Sequence, residues 1–149
     1  MYPSLVSEPL FDEPFPLRGV VVIVGAYQRP VASPQPLVMA VLGRHGAIRT
    51  LARRGVSQMV ERATRHYPHA LQLTSPEALL HQVSAVCLIP SASGSLPGEL
   101  DALMTQAAET GLPLWTAGPA PLGRSWQPLT LLGIPGFTHT PDTRQGSLF

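Results

Sequence analysis

The segment from Ala85 to Thr116 constrains the fold of this chain most, because it combines a strand, a turn, a helix and a second strand. Ala85 to Pro90 is a short apolar run, as expected for a parallel strand covered on both faces. Apolar residues then recur at helical spacing, at positions 100, 103, 104, 107 and 108, before Gly111 ends the pattern. Leu112 to Thr116 supplies the next strand. The segment therefore predicts a β-α-β unit with parallel strands.

The preceding residues repeat this alternation. Further strands are predicted at 19–25, 47–51 and 70–73, and further helices after Ser33, from Ser57 and at Ser75-Pro76-Glu77. The alternation predicts an α/β fold, a Rossmann-like open parallel sheet of about five strands with helices on both faces. The two most continuously apolar runs, 19–25 and 85–90, are expected to be central.

Proline and glycine content suggests three parts. Residues 1–18 are expected to form an N-terminal extended arm, packed on the surface or disordered, because prolines recur there. Residues 19–116 form the predicted Rossmann-like domain. Residues 117–149, rich in Pro, Gly and Thr, are interpreted as a C-terminal extension that ends in an interaction tail.

Composition limits the classes of function. Charged residues make up 13% of the chain and the net charge is +1, so no global field favours nucleic acid or membrane. The single cysteine excludes an internal disulfide and a thiolate metal cluster, and the five histidines are scattered. No apolar run approaches the ~20 residues of a membrane helix, and the acidic start does not resemble a signal peptide. We expect a cytoplasmic protein with no metal and no cofactor.

Three loops follow predicted strands, where open α/β sheets bind ligands. Gly25 and Tyr27 lie in the first, Arg53, Arg54 and Gly55 in the second. The third holds Ser91, Ser93, Gly94 and Ser95. A small-residue turn that leads into a helix N-terminus favours phosphate, and arginine forks match phosphate oxygens. The loops predict one cleft for a nucleotide or another phosphorylated small molecule.

Several of these residues have a second interpretation. Tyr27 could stack on a base or pack on its neighbours. Glu99 could be catalytic or could supply favourable charge in the first turn of its helix. Six of the ten arginines lie between Arg44 and Arg65, and this segment is either a ligand edge or a solvated basic face. Direct binding of nucleic acid is left open.

At these loops the chain resembles the SLOG superfamily of Rossmann-like nucleotide-derivative binders, which includes LOG phosphoribohydrolases, YspA-type proteins and the DNA-processing protein DprA. Residues 90–95 (PSASGS) resemble the LOG turn Pro-Gly-Gly-x-Gly-Thr, and Glu99 follows one position later than the LOG glutamate. Residues 107–114 (AAETGLPL) are similar to a YspA helix end, and residues 51–56 (LARRGV) keep the Ala and final Gly of a second glycine-rich turn. The resemblance implies nucleotide binding over residues 19–116. Glycine lets the backbone approach phosphate closely. Because some of the LOG glycines are replaced in this chain, the sequence argues against LOG-like hydrolysis.

The last residues of the sequence give an independent signal. Gln145, Ser147, Leu148 and Phe149 are similar to the bacterial sliding-clamp-binding peptide Gln-x-Ser/Asp-Leu-Phe, in which Leu and Phe fill an apolar cleft. The alternative is that Leu148 and Phe149 pack on the domain itself.

Together these patterns favour a nucleotide-binding accessory protein in DNA replication or repair that docks on the sliding clamp. One alternative is a nucleotide-processing hydrolase or transferase that uses Glu99 with Arg53 and Arg54. The other is a pure interaction module whose ligand site has decayed.

Overall fold

A computed structural model describes residues 15–119 and 126–139. Its strands are β1 (Val20–Gly25), β2 (Ala47–Leu51), β3 (Leu71–Thr74), β4 (Ala85–Ile89), β5 (Leu114–Ala117), β6 (Gln127–Pro128) and β7 (Gly136–His139). Its helices are α1 (Gln35–Gly43), α2 (Val56–Ala63) and α3 (Gly98–Glu109), with short 3-10 turns at Pro68–Ala70 and Pro76–Ala78.

The strands form one sheet in the order β3-β2-β1-β4-β5-β7-β6. Strands β1 to β5 run parallel, while β7 pairs antiparallel with β5 and with β6. The α/β open sheet is therefore confirmed, with β1 and β4 central as expected. The sheet has seven strands instead of about five, because the segment after residue 116 contributes two strands that its Pro and Gly content conceals.

The chain changes direction at the centre of the sheet. From β1 it proceeds outward to β2 and β3, then crosses back to β4 and continues to β5 on the other side. The loops after β1 and β4 therefore diverge at the carboxyl edge. This switch point is where open α/β sheets place their ligand crevice.

Both faces of the sheet are covered. Val21 and Ile23 point to one apolar cluster with residues of α1 and α2, while Val22 and Val24 point to a second with residues of α3. This explains why β1 is apolar at consecutive positions. Phe15, from the predicted N-terminal arm, is buried in the first cluster.

The prediction of a helix that begins at Ser75-Pro76-Glu77 is wrong. The structure has only the 3-10 turn at Pro76–Ala78 in that segment. The half-buried Arg49 of β2 donates from Nη1 to the carbonyls of Ala78 (3.2 Å), Leu79 (3.3 Å) and His81, and from Nε to Gln72 (3.0 Å). The arginine fixes these carbonyls in the connection between β3 and β4.

We expect Arg49→Ala to destabilise the protein by about 2 kcal/mol, because it leaves several carbonyls without their charged donor. Chemical denaturation monitored by circular dichroism measures the loss. Arg65→Ala is the matched control, since Arg65 is exposed. Equal stability of the two variants would contradict the bracing role of Arg49.

No helix within residues 15–119 and 126–139 has both the length and the apolar character needed to cross a bilayer.

Candidate functional site

The loops after β1 and β4 are joined by backbone hydrogen bonds at the switch point. Ala26 N–H donates to Ile89 O (2.9 Å), Val31 N–H to Pro90 O (2.8 Å) and Ala92 N–H to Arg29 O (2.9 Å). These bonds tie residues 26–31 to residues 89–92. The two loops therefore form one hydrogen-bonded unit above the carboxyl ends of β1 and β4.

A cleft of about 770 Å³ opens between these loops and the start of α3. It is large enough for a nucleotide-sized ligand. Its walls comprise Ala26, Tyr27, Gln28, Arg29, Arg54, Ser91, Ala92, Ser93, Ser95, Leu96 and Pro97. Seven of these eleven side chains carry hydroxyl, amide or guanidinium groups, which can bind a polar or anionic ligand, and the other four are apolar.

Three serine hydroxyls converge in the loop after β4. Ser91 Oγ lies 2.8 Å from both Ser93 Oγ and Ser95 Oγ, and the last two oxygens are 3.4 Å apart. Hydroxyl groups can rotate to donate to an incoming acceptor. The cluster therefore presents adjacent O–H donors at one wall of the cleft.

Most backbone N–H groups of this loop are not available to bind an anion. The N–H groups of Ser91, Ala92, Gly94 and Ser95 all donate to protein acceptors, namely Ser95 O, Arg29 O, Ser91 O and Ser91 Oγ. An anion at this wall would therefore contact mainly side-chain hydroxyls. The small-residue turn therefore offers a phosphate fewer backbone donors than its sequence suggests, because the serines let the turn bond to itself.

Glu99, in the first turn of α3, connects that helix to the loops after β1 and β2. Its Oε1 accepts a hydrogen bond from the Tyr27 hydroxyl and pairs with Arg53 Nε at 3.4 Å. The bond from Tyr27, and then Arg53, lowers the pKa of Glu99, while burial and the same bond raise the pKa of Tyr27. Glu99 lies in the first turn of α3, where its negative charge is favourable, but it makes no cap bond, and the N-cap is Pro97. We call this contact the Glu99 bridge.

Two of the predicted ligand residues are needed for packing. A Cβ on Gly25 would lie 2.1 Å from Ile89 O, and one on Gly55 would lie 2.1 Å from Ala26 O. Gly55 also has a φ of +76°. Both glycines allow close approach of neighbouring backbone, so their presence is explained without a ligand. Their contact with a ligand stays a prediction.

The structure brings Tyr27, Arg54, Ser91, Ser93 and Ser95 together in the cleft. Gly25, Arg53, Gly55, Gly94 and Glu99 are not among its wall residues, although Arg53 and Glu99 lie beside it through the Glu99 bridge.

Sequence analysis missed Gln28 and Arg29, which also form part of the wall. Arg29 lies four residues beyond β1, in the first of the three predicted ligand loops. Its position after β1 was therefore sufficient to predict it as a ligand residue. Its guanidinium adds a second cation to the cleft that the serines also line.

Among the other hollows in the described part of the chain, two are close in volume to the cleft. The first, which we call the α2 hollow, has a volume of about 680 Å³ and walls from Tyr27, Ala52, Arg53, Arg54, Gln58, Glu61 and Leu73. The second, about 730 Å³, lies at the opposite edge of the sheet beside Met39, His45, Tyr67 and His69. The second hollow is remote from the switch point.

Other reactive groups have unfavourable settings. Cys87 is fully buried in β4, and burial raises the pKa of its thiol, so it stays protonated. Among residues 15–119 and 126–139, no three His, Cys, Asp or Glu side chains are grouped in a way that could hold a metal ion.

The tail residues Gln145, Ser147, Leu148 and Phe149 lie outside the described residues. No protein-family model, curated protein or solved structure matches this chain. The resemblance to SLOG proteins and to clamp-binding peptides therefore rests on the motifs alone.

Proposed function

We propose that this protein is a SLOG-like accessory protein of DNA metabolism in the bacterial cytoplasm, which binds a nucleotide or related phosphorylated ligand. The observation that carries the proposal is the cleft at the switch point. There Arg29 and Arg54 share a cavity with the three clustered serine hydroxyls. Guanidinium and hydroxyl donors together match a phosphate group better than they match an apolar ligand.

The charges and bonds of the Glu99 bridge favour binding over catalysis. A general acid at neutral pH needs a raised pKa, whereas Tyr27 and Arg53 lower the pKa of Glu99. Both donors also bind the same carboxylate oxygen, Oε1, so a substrate would have to compete with Tyr27 and Arg53 for it. We therefore propose a binding protein, and not a LOG-like hydrolase.

The Glu99 bridge has a consequence for ligand affinity. Arg53 is engaged by Glu99 Oε1, whereas Arg54 lies in the cleft wall and makes no ion pair with a described residue. A phosphate must compete with Glu99 for Arg53 but can reach Arg54 directly. Arg54 is thus the stronger candidate for ligand contact.

Arg54→Ala is expected to weaken the binding of nucleoside monophosphates about tenfold, through loss of one charge-assisted contact. Arg53→Ala is expected to have a smaller effect. Glu99→Gln should tighten binding, because it releases Arg53 and removes a negative charge near the ligand. Calorimetric titration with AMP, GMP, CMP and UMP measures these differences.

Arg62→Ala is the matched control, since Arg62 is exposed and does not form part of the cleft wall. Unchanged affinity in the Arg53→Ala, Arg54→Ala double variant would end the proposal for this site. Turnover of any bound nucleotide over hours, lost in Glu99→Gln, would restore the enzyme alternative.

Docking on the sliding clamp is the second part of the proposal. It rests on the agreement of Gln145, Ser147, Leu148 and Phe149 with the clamp-binding peptide. The five residues 140–144, between β7 and this peptide, would be its tether.

A further inference from the structure

Exposed arginines occupy a row of positions along α2 and just beyond its two ends. Val56 and Val60 are fully buried against the sheet, whereas Gln58, Arg62 and Arg65 are exposed. Gln58 and Arg62, at i and i+4, lie on one side of α2. Arg65 lies two residues beyond the end of α2, and its N–H donates to Arg62 O at 3.3 Å.

Arg54 extends this row at the start of α2, since it shares the α2 hollow with Gln58. We call Arg54, Arg62 and Arg65 the arginine stripe. The eight-residue helix α2, which lies between the two ends of the stripe, is about 12 Å long at the helical rise per residue. One phosphate group cannot reach both ends, so the stripe suits a polymer with repeated anions.

The charges of the stripe are not neutralised by the described protein. None of its three arginines makes an ion pair with a residue in 15–119 or 126–139. Glu61 is the one acid between positions 53 and 65, and Arg53 is already paired with Glu99. Local charge complementarity therefore favours a polyanion, even though the net charge of the chain is only +1.

The α2 hollow adds a contact of a different kind. It lies between α2 and the edge strand β3, and its walls include Tyr27 and Leu73. The Leu73 side chain, on this edge strand, is 49% exposed. A flat apolar or aromatic group of a ligand could cover it.

We propose that the arginine stripe and the α2 hollow together bind single-stranded nucleic acid. Phosphates lie along the stripe, and an unstacked base enters the hollow against Leu73 and Tyr27. Single strands combine repeated phosphates with accessible base faces, which matches both features. A duplex keeps its bases stacked and would leave the hollow empty. An acidic protein surface could bind the arginine stripe without using the hollow.

The direct test is fluorescence anisotropy with labelled single strands, oligo-dT and oligo-U of fifteen nucleotides, at 50 mM NaCl. We expect binding that weakens with salt. Removing two phosphate contacts in the Arg62→Ala, Arg65→Ala variant should weaken it at least about tenfold and lower the salt slope by roughly 1.4. The two oligomers distinguish DNA from RNA as the preferred strand.

Matched variants distinguish the contributions of charge and apolar contact to binding from an effect on folding. Arg62→Lys with Arg65→Lys should retain binding within about threefold, because the charge is kept. Leu73→Ala should weaken binding of single strands, while Leu132→Ala should not, although Leu132 is similarly exposed at 48%. Circular dichroism verifies that each variant is folded.

Several results would overturn the proposal: no binding at 50 mM NaCl, equal binding by wild type and the double alanine variant, or equal affinity for a blunt duplex. Loss of clamp binding instead of oligonucleotide binding in that variant would make the stripe a protein interface. Because Arg62 and Arg65 lie outside the cleft, their variants should leave the affinity for mononucleotides unchanged. The stripe and the nucleotide cleft can therefore fail separately.

Discussion

Gly55→Ala is expected to destabilise the protein by about 3 kcal/mol or more, because both the backbone angle and the space at this position exclude a side chain. Gly55 has a φ of +76° and a ψ of −131°. A Cβ there would lie 2.1 Å from Ala26 O and 2.5 Å from Tyr27 Cα. The opposing atoms belong to backbone, so no side-chain rotation can relieve the contact.

The loss should be a large part of the total stability, which is about 5–15 kcal/mol for a domain. It should also separate the loop after β1 from α2, since Val56 N–H donates to Ala26 O at 3.0 Å. Tyr27 and the Glu99 bridge would then be displaced, and nucleotide binding should fall with stability. Urea denaturation and calorimetry on the same preparation measure both effects.

Gly43→Ala is the matched control, because Gly43 ends α1 and a Cβ there would meet nothing within 4 Å. In a helix this exchange should stabilise by about 0.5–1 kcal/mol. If Gly55→Ala were as stable as Gly43→Ala, the close contact between the two loops would be disproved.

The parallel core of the fold was predictable because each strand is marked locally. β1 and β4 are short runs of buried apolar residues with no alternation, and that pattern alone indicates a strand covered on both faces. β6 and β7 were missed, since Pro128 and Gly136 are unusual in strands. Gly136 is explained only by tertiary contact, as a Cβ there would lie 2.3 Å from Thr116 O.

The composition of the cleft was predictable in part, and for a similar reason. The end of a strand is visible in sequence, so Tyr27, Arg54 and the serine loop could be assigned to one edge. Pairing between distant residues is not visible, so the bond from Tyr27 to Glu99, 72 positions apart, could not be foreseen. The same limit applies to Arg49, whose carbonyl partners lie about thirty positions away in the segment where a helix was expected.

The second large effect concerns the tail. We expect that deletion of residues 144–149 abolishes binding to a bacterial sliding clamp, since it removes every residue of the peptide motif. A short peptide loses chain freedom on binding, so the intact protein should bind with micromolar affinity, on the order of 8 kcal/mol. A calorimetric titration of the clamp with the full chain and with the chain ending at Thr143 measures the difference.

Single substitutions should reproduce most of this loss, because few anchors dominate such interfaces. Leu148→Ala and Phe149→Ala should each weaken binding strongly, because each removes a side chain that fills the apolar cleft of the clamp. Gln145→Ala should have the next largest effect. Ser147→Ala should matter less, and Gly146→Ala serves as the control with the smallest effect. A synthetic peptide of residues 140–149 should bind nearly as tightly as the protein, because the folded domain contributes little contact. Equal binding by the full and truncated chains, or binding by neither, would contradict the clamp proposal while leaving the nucleotide cleft unaffected.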